Sequence, residues 1–372
     1  MFAIIFWLIL LAYSGINFYI GNRLLRWLRL LAPSLHGAAF WIPYSVLAVL
    51  FIIVRMLPAS AATPVVDRIG NWWLGIFVYG FLLVMLLDIF RLFGRLMKTY
   101  PAGTHIQIAT GGVVLAALLG IMIYGRINAR NIKITDYSVT LKGGGDSLNI
   151  VMFADMHLGY TNGLESVKDT VEKVNAQKPD IVCIVGDVFD GNYDAVSNID
   201  KVIAEFRKID SKYGVYAVMG NHDAGKTYSK MAEFFGKANI KLLEDEALLI
   251  DGRFTVAGMR DGSPIGHGGE SRTDIANVIS TADSDKPIIL LNHKPSDIPE
   301  AEKAGVDLML SGHTHGGQVF PANFITNAIF EEDCGHLVKN GFQAIVTSGV
   351  GTWGPPIRIG SRSEIVSIRV DF

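Results

Sequence analysis

Cysteine is nearly absent: 372 residues hold only Cys183 and Cys334, too few for a disulfide framework and without the paired spacing of a zinc site. An excess of one charge is missing too. With 33 Lys and Arg against 35 Asp and Glu, the formal net charge is −2. That balance leaves no electrostatic footprint for nucleic acid, so no nucleic-acid partner is expected. Internal repeats and low-complexity linkers are also lacking. The first apolar run has neither a basic stretch before it nor a small-residue cleavage site, so it reads as a retained span.

Apolar residues are plentiful, 50% of the chain, and they are concentrated before about Gly125. Four runs there, residues 2–20, 40–57, 72–90 and 106–124, approach the roughly 20 residues a bilayer-crossing helix needs. Trp7, Trp41, Trp72, Trp73 and Tyr100 lie near their ends, as interfacial aromatics do. Arg55 and Asp88 are read as snorkelling toward headgroups. The expected organisation is a multi-pass membrane domain over 1–127, a connector with a first strand over 128–147, and an α/β domain over 148–372. The bilayer is thus an expected partner, and the cell membrane the expected location.

Basic residues bear on orientation. Arg23, Arg26 and Arg29 follow the first run, and Arg91, Arg95 and Lys98 follow the third. The positive-inside rule places both connections in the cytoplasm and the C-terminal domain outside. Arg126, Arg130 and Lys133, after the fourth run, pull the other way.

Beyond the connector, strand-like runs alternate with helical patterns. Strands are expected at 132–141, 148–154, 181–185, 215–218, 254–257, 288–291, 308–310, 344–347 and 365–370. Helices are expected at 164–176, 195–207, 229–238 and 273–280. Cys183 falls inside an apolar strand and reads as an inert core residue.

The informative polar residues stand just after those strands: Asp155-Met156-His157, Gly186-Asp187-Val188-Phe189-Asp190, Gly220-Asn221-His222-Asp223, His293 and Gly312-His313-Thr314-His315. Taken singly, most are ordinary turn or capping residues. Together they can converge, because ligand sites in α/β sheets gather at the carboxyl ends of strands. Carboxylate, imidazole and amide oxygen form a donor set for borderline divalent metals. Asp-x-His and His-x-His on extended chain aim two donors the same way. Gly186, Gly220 and Gly312 are expected to let the backbone turn sharply beside them.

This series of five motifs resembles the calcineurin-like metallophosphoesterase superfamily. Gly316-Gly317-Gln318 and the segment Ser348-Gly349-Val350-Gly351-Thr352-Trp353-Gly354 are similar to its bacterial membrane-associated branch. The resemblance implies a two-sheet sandwich flanked by helices. It implies two divalent metal ions, Mn, Fe or Zn, one held by Asp155, His157, Asp187 and His315. The second would be held by Asp187, Asn221, His293 and His313, with Asp187 shared. It also implies that His222 protonates the leaving oxygen and that Asp190 pairs with it, which would raise the imidazole's pKa.

Two cations close together acidify a shared water to hydroxide and clamp phosphate oxygens during in-line attack. In the protein serine/threonine phosphatases of the superfamily an arginine follows the second motif; here that position is Gly191. The missing guanidinium points away from phosphoproteins, toward a phosphodiester or pyrophosphate, small or lipid-linked. Relatives in the branch include an enzyme that cleaves the pyrophosphate of UDP-diacylglucosamine, a reaction that needs a cytoplasmic site. His267 reads as a loop residue, and Arg358 either binds phosphate or lies on the surface. The competing readings are a non-catalytic receptor or scaffold that keeps the metal-binding fold, and a transporter, for which no paired charges are visible in the spans.

Overall fold

The computed structural model describes residues 2–54, 60, 62–99, 103–266 and 271–372, with backbone alone for 2, 3 and 6. Arg55, Tyr100 and His267 lie outside the described residues. The chain divides into two compact units, 1–126 with 354–356, and 127–353 with 357–372.

The first unit is helical, with α1 (Phe2–Leu31), α2 (Gly37–Ile53), α3 (Thr63–Leu96) and α4 (Thr104–Arg130), whose last turn is counted in the second unit. Among the described residues, α3 and α4 are long and apolar enough to cross a bilayer. The second helix is apolar but has 17 residues, short of the roughly 20 a span needs. Length and composition thus support two of the four expected spans among the described residues.

The helices also run past their expected ends. Nothing breaks α1 before Pro33, so Arg23, Arg26 and Arg29 stand on its last turns rather than in a connection. Arg91 and Arg95 likewise belong to α3. Asp88 has protein partners: it accepts from Arg23 at 2.6 Å and from the Tyr19 hydroxyl at 2.7 Å, with Arg91 at 3.4 Å. A paired charge, unseen in the sequence, thus links two helices. Trp73, read as interfacial, is buried with Leu25, Phe40, Tyr44 and Ala48.

The second unit holds two mixed six-stranded sheets. The first runs β1 (Lys133–Thr140), β12 (Glu364–Asp371), β2 (Leu148–Phe153), β3 (Ile181–Val185), β4 (Val215–Val218), β5 (Lys241–Leu242). The second runs β10 (Gly335–Lys339), β11 (Phe342–Val346), β9 (Leu308–Ser311), β8 (Ile288–Leu291), β7 (Phe254–Gly258), β6 (Glu246–Ile250). Strands β2, β3, β4 and β5 are parallel, as are β7, β8, β9 and β11.

Strand periodicity builds the layers. Ile150, Met152, Cys183 and Val185 from the first sheet pack in one core with Ile289, Leu291, Leu308 and Leu310 from the second. Their neighbours Val151, Phe153, Val182 and Ile184 point the other way, onto α5 (Leu164–Ala176), α6 (Ile199–Phe206) and α7 (Tyr228–Lys237). Leu290 and Met309 meet α8 (Ile275–Ile279) and α9 (Ile298–Lys303) on the opposite side. A further helix, α10 (Asn323–Ile329), follows the last motif. Cys183 is buried between the sheets, as its apolar run indicates.

Candidate metal centre

All five motifs leave the carboxyl ends of β2, β3, β4, β8 and β9, three strands from one sheet and two from the other. Three groups of possible metal ligands result, with donor atoms within 4.8 Å of one another. Asp155, His157 and His315 form the first; His157, Asp187 and His222 the second; Asp187, His293 and His313 the third. Asp187 links the last two; buried Asn221 stands on the β4 loop just before His222, the backbone N–H of which donates to Oδ1 of Asp187 at 2.8 Å.

The backbone that aims these groups is not extended. Asp155, His157, Asp187, His313 and His315 all take positive φ, between 47° and 73°. Positive φ is uncommon for side-chain-bearing residues. The ligand pairs thus point inward by left-handed turns beyond the strand ends, not by the two-residue alternation of a strand. The neighbouring glycines act mainly through space. A Cβ on Gly220 would lie 2.2 Å from Oδ1 of Asp187, one on Gly312 2.5 Å from Oδ2 of Asp155, and one on Gly186 2.5 Å from Nδ1 of His293. Only Gly186 of the three also needs positive φ, at 82°.

Spacing and unmet valences fit cations. Nε2 of His157 faces Nε2 of His315 at 3.0 Å, Nε2 of His293 faces Oδ2 of Asp187 at 3.2 Å, and Nε2 of His315 is 3.6 Å from Oδ1 of Asp155. Donors placed about 2.0–2.2 Å from a shared ion are separated by roughly 3.0–3.5 Å, the edge of its coordination shell. His293 turns Nδ1 to the Val185 carbonyl at 2.8 Å, which fixes the ring and leaves Nε2 toward the cluster. Nε2 of His293 and Oδ1 of Asn221 are buried without a hydrogen-bond partner, the state that a bound ion would relieve.

The charges agree. Burial pushes the Asp155 carboxyl up to about 6, against the pull of His293 and His157. Burial would raise Asp187 too, but the surrounding imidazoles, His293 foremost, outweigh it and hold it below the ordinary carboxylate range. Burial opposes the charge of His293, yet Asp187 and Asp155 raise its pKa to about 10. The buried carboxylates Asp155 and Asp187 thus make the centre anionic, a setting that favours positive charge there.

His222 lies at the edge of the cluster. Its Nδ1 is 3.6 Å from Oδ1 of Asp190, and the same oxygen is 3.7 Å from Nδ1 of His157. Asp190 therefore faces two imidazoles, one in the cluster and one beside it. The expected rise in the pKa of His222 is not found: burial lowers it, and Asp187 and Asp190 do not compensate.

Three residues gain roles the sequence did not disclose. Buried Asp223 accepts from the backbone N–H groups of Val188 at 3.1 Å, Phe189 at 2.7 Å and Gly220 at 2.9 Å, tying the β3 and β4 loops together. Its position inside Gly-Asn-His-Asp was the available signal. Trp353 is half exposed, with its ring 5.6 Å from that of His222. Gln318 holds it through both backbone polar groups, at 2.9 Å each.

Arg358 is neither a surface residue nor open to phosphate: it is 0% exposed. It donates to the carbonyls of Ser348, Gly349, Gly351, His315 and Arg362 at 2.6–3.2 Å, and its Nη2 is 3.2 Å from Nδ1 of His315. The loop it gathers in turn donates from Gly351 N to the Asp155 carbonyl at 2.9 Å. Arg358 thus braces two residues of the first group.

Sequence comparison agrees with this geometry. The model of the calcineurin-like phosphoesterase family matches residues 148–317. A metallophosphoesterase of Aquifex aeolicus is 34% identical over 260 residues, 69% of this chain and 97% of that one. A metallophosphoesterase of Campylobacter jejuni is 31% identical, covering 76% of this chain and 74% of its own. A transmembrane protein with metallophosphoesterase domain from Danio rerio is 30% identical, covering 79% and 71%. By its ordered motifs, its two sheets and these relatives, the chain belongs to the calcineurin-like metallophosphoesterase family, a family of phosphoester hydrolases.

Proposed function

We propose that the chain is a membrane-anchored phosphodiesterase or pyrophosphatase with a dinuclear centre. The carrying observation is the convergence of Asp155, His157, Asp187, His293, His313 and His315 in overlapping groups of donor atoms, with buried Asn221 on the β4 loop. Asp155, His157, Asp187 and His315 would hold one divalent ion, and Asp187, Asn221, His293 and His313 the other. Bound there, two such ions supply the acidity that makes water nucleophilic at neutral pH and the charge that steadies phosphoryl oxygens.

The chain's own residues supply the rest. His222 turns Nδ1 to Asp190, so Nε2 is the atom that gives a proton to the leaving oxygen. An incoming phosphate anion raises its pKa and favours the protonated form. Asp190 orients both His222 and His157. Asp190→Asn is expected to lower kcat/KM by roughly 10–100-fold, the usual effect of losing a carboxylate behind a ligand histidine. Steady-state hydrolysis, with circular dichroism to confirm folding, checks this.

Trp353 beside His222 supports a leaving group with an organic body, a diester or nucleotide-linked pyrophosphate rather than a bare monoester. The apolar helices α3 and α4 and the transmembrane relative support anchorage, which makes a lipid-linked substrate attractive. The arginine-bearing ends of α1 and α3 support a cytoplasmic position for those ends and an outward catalytic unit. A hydrolysis screen of the purified full chain over monoesters, diesters and nucleotide pyrophosphates tests the substrate class. Turnover of diesters or pyrophosphates is expected, lost to a chelator and restored by Mn, Fe or Zn; turnover of monoesters alone would sink it.

A further inference from the structure

A cavity of about 930 Å³ opens among α1, α2, α3 and α4 of the helical unit, lined by none of the metal centre's residues. Part of its wall is arginine. Arg23 and Arg26 stand about one turn apart on α1, and Arg91 and Arg95 about one turn apart on α3, so each pair shares a helix face. Trp73 donates to the Tyr13 hydroxyl at 3.3 Å, and Arg23 meets Asp88 at 2.6 Å. Those two links show α1 and α3 running in the same direction, which brings both pairs to one end.

The charge there is unbalanced. Asp88 is the single carboxylate in the wall, against four guanidinium groups. It is already engaged by Arg23, Arg91 and Tyr19. Among the described residues, Arg26 and Arg95 have no acidic partner. The rest of the wall is mostly apolar, with Leu47, Ile76, Val84 and Leu118 from three helices.

We infer that this cavity binds the phosphate head of an anionic phospholipid, with the acyl chains along the apolar wall. Guanidinium groups are suited to phosphate because they present paired donors in a plane and keep their charge. Arginines at the membrane-facing end of a helix bundle draw their counter-charge from nearby anions, and basic pockets between such helices recognise acidic head groups. A free phosphate ion would fill little of this volume and leave the apolar wall uncovered. The inference rests on the membrane reading, but not on the catalytic one.

The test uses the full chain. An alkaline carbonate wash of membranes comes first: a chain released into the supernatant would sink the membrane reading and the lipid site with it. The retained chain is then purified in a neutral detergent, and its thermal unfolding is followed with phosphatidylglycerol, phosphatidylcholine or inorganic phosphate added. Phosphatidylglycerol is expected to raise Tm by roughly 5 °C over phosphatidylcholine. The double substitution Arg26→Gln with Arg95→Gln should abolish that difference while keeping the wild-type Tm in phosphatidylcholine, which shows that it folds. Equal shifts with both lipids, a shift retained by the folded double variant, or reproduction of the shift by inorganic phosphate would overturn the lipid site and leave the membrane reading standing. Should that double variant not fold, Arg95→Gln alone must at least halve the shift; an undiminished shift would likewise overturn the site.

Discussion

Asp187→Asn is expected to cut hydrolysis by about 10³-fold or more, some 4 kcal/mol of transition-state stabilisation, while leaving the fold intact. The residue is central by position: Oδ2 lies 3.2 Å from His293 and 3.7 Å from His157, and Oδ1 accepts from the backbone of His222 at 2.8 Å. Asparagine fills the same space but removes the negative charge and one acceptor. Metal content per chain should fall from two toward one or none, read by elemental analysis beside kcat/KM. Function that survives this change would instead favour the scaffold reading, in which the ligands are kept for shape.

Arg358→Ala should produce the largest loss of stability, roughly 3–5 kcal/mol, as expected when one partner of a buried charged network is removed. Five carbonyls lose a donor at once around a side chain that is 0% exposed. In a unit of this size that corresponds to a fall in Tm of about 10 °C or more. Arg358→Lys should recover little, since one ammonium cannot span the same fan of acceptors. Thermal unfolding of the full-length variants decides it: an unchanged Tm for Arg358→Ala would show that the loop from Ser348 to Gly351 holds itself.

The two cases differ in how far sequence could foresee them. Asp187 is legible because its neighbours in the chain carry the signal: a glycine before it, an apolar strand before that, and a carboxylate three residues on. The parallel strands β3, β4 and β8 were equally legible, since each is a short apolar run closed by polar residues and coincides with its expected bounds. Three of the four edge strands were not, β1 being the exception. Both β6 and β10 mix exposed and partly buried positions, and β5 has two residues, so none has a pattern to detect.

Arg358 was misread for a related reason. Its acceptors are backbone carbonyls, which have no letter in a sequence, and the nearest visible cue was a proline turn. The left-handed ligands escaped similarly: a period-two argument assumes extended chain, and the strands stop before the donors begin. Along the helices, charge was taken as a mark of connections, whereas only Pro33 could have ended α1. Local apolar pattern reads the interior well and says little about where polar side chains find partners far along the chain.

The placement of the donors on two sheets has a mechanical consequence. Asp155, His157, Asp187 and Asn221 hang from one sheet, and His293, His313 and His315 from the other. An ion held across that seam would clip together chain positions as distant as His157 and His315, 158 residues apart. It would work as a removable cross-link, shrinking the freedom of the unfolded chain as a disulfide would in a protein with almost no cysteine to make one. Stripping the ions would therefore loosen the two layers from each other as well as silence the chemistry.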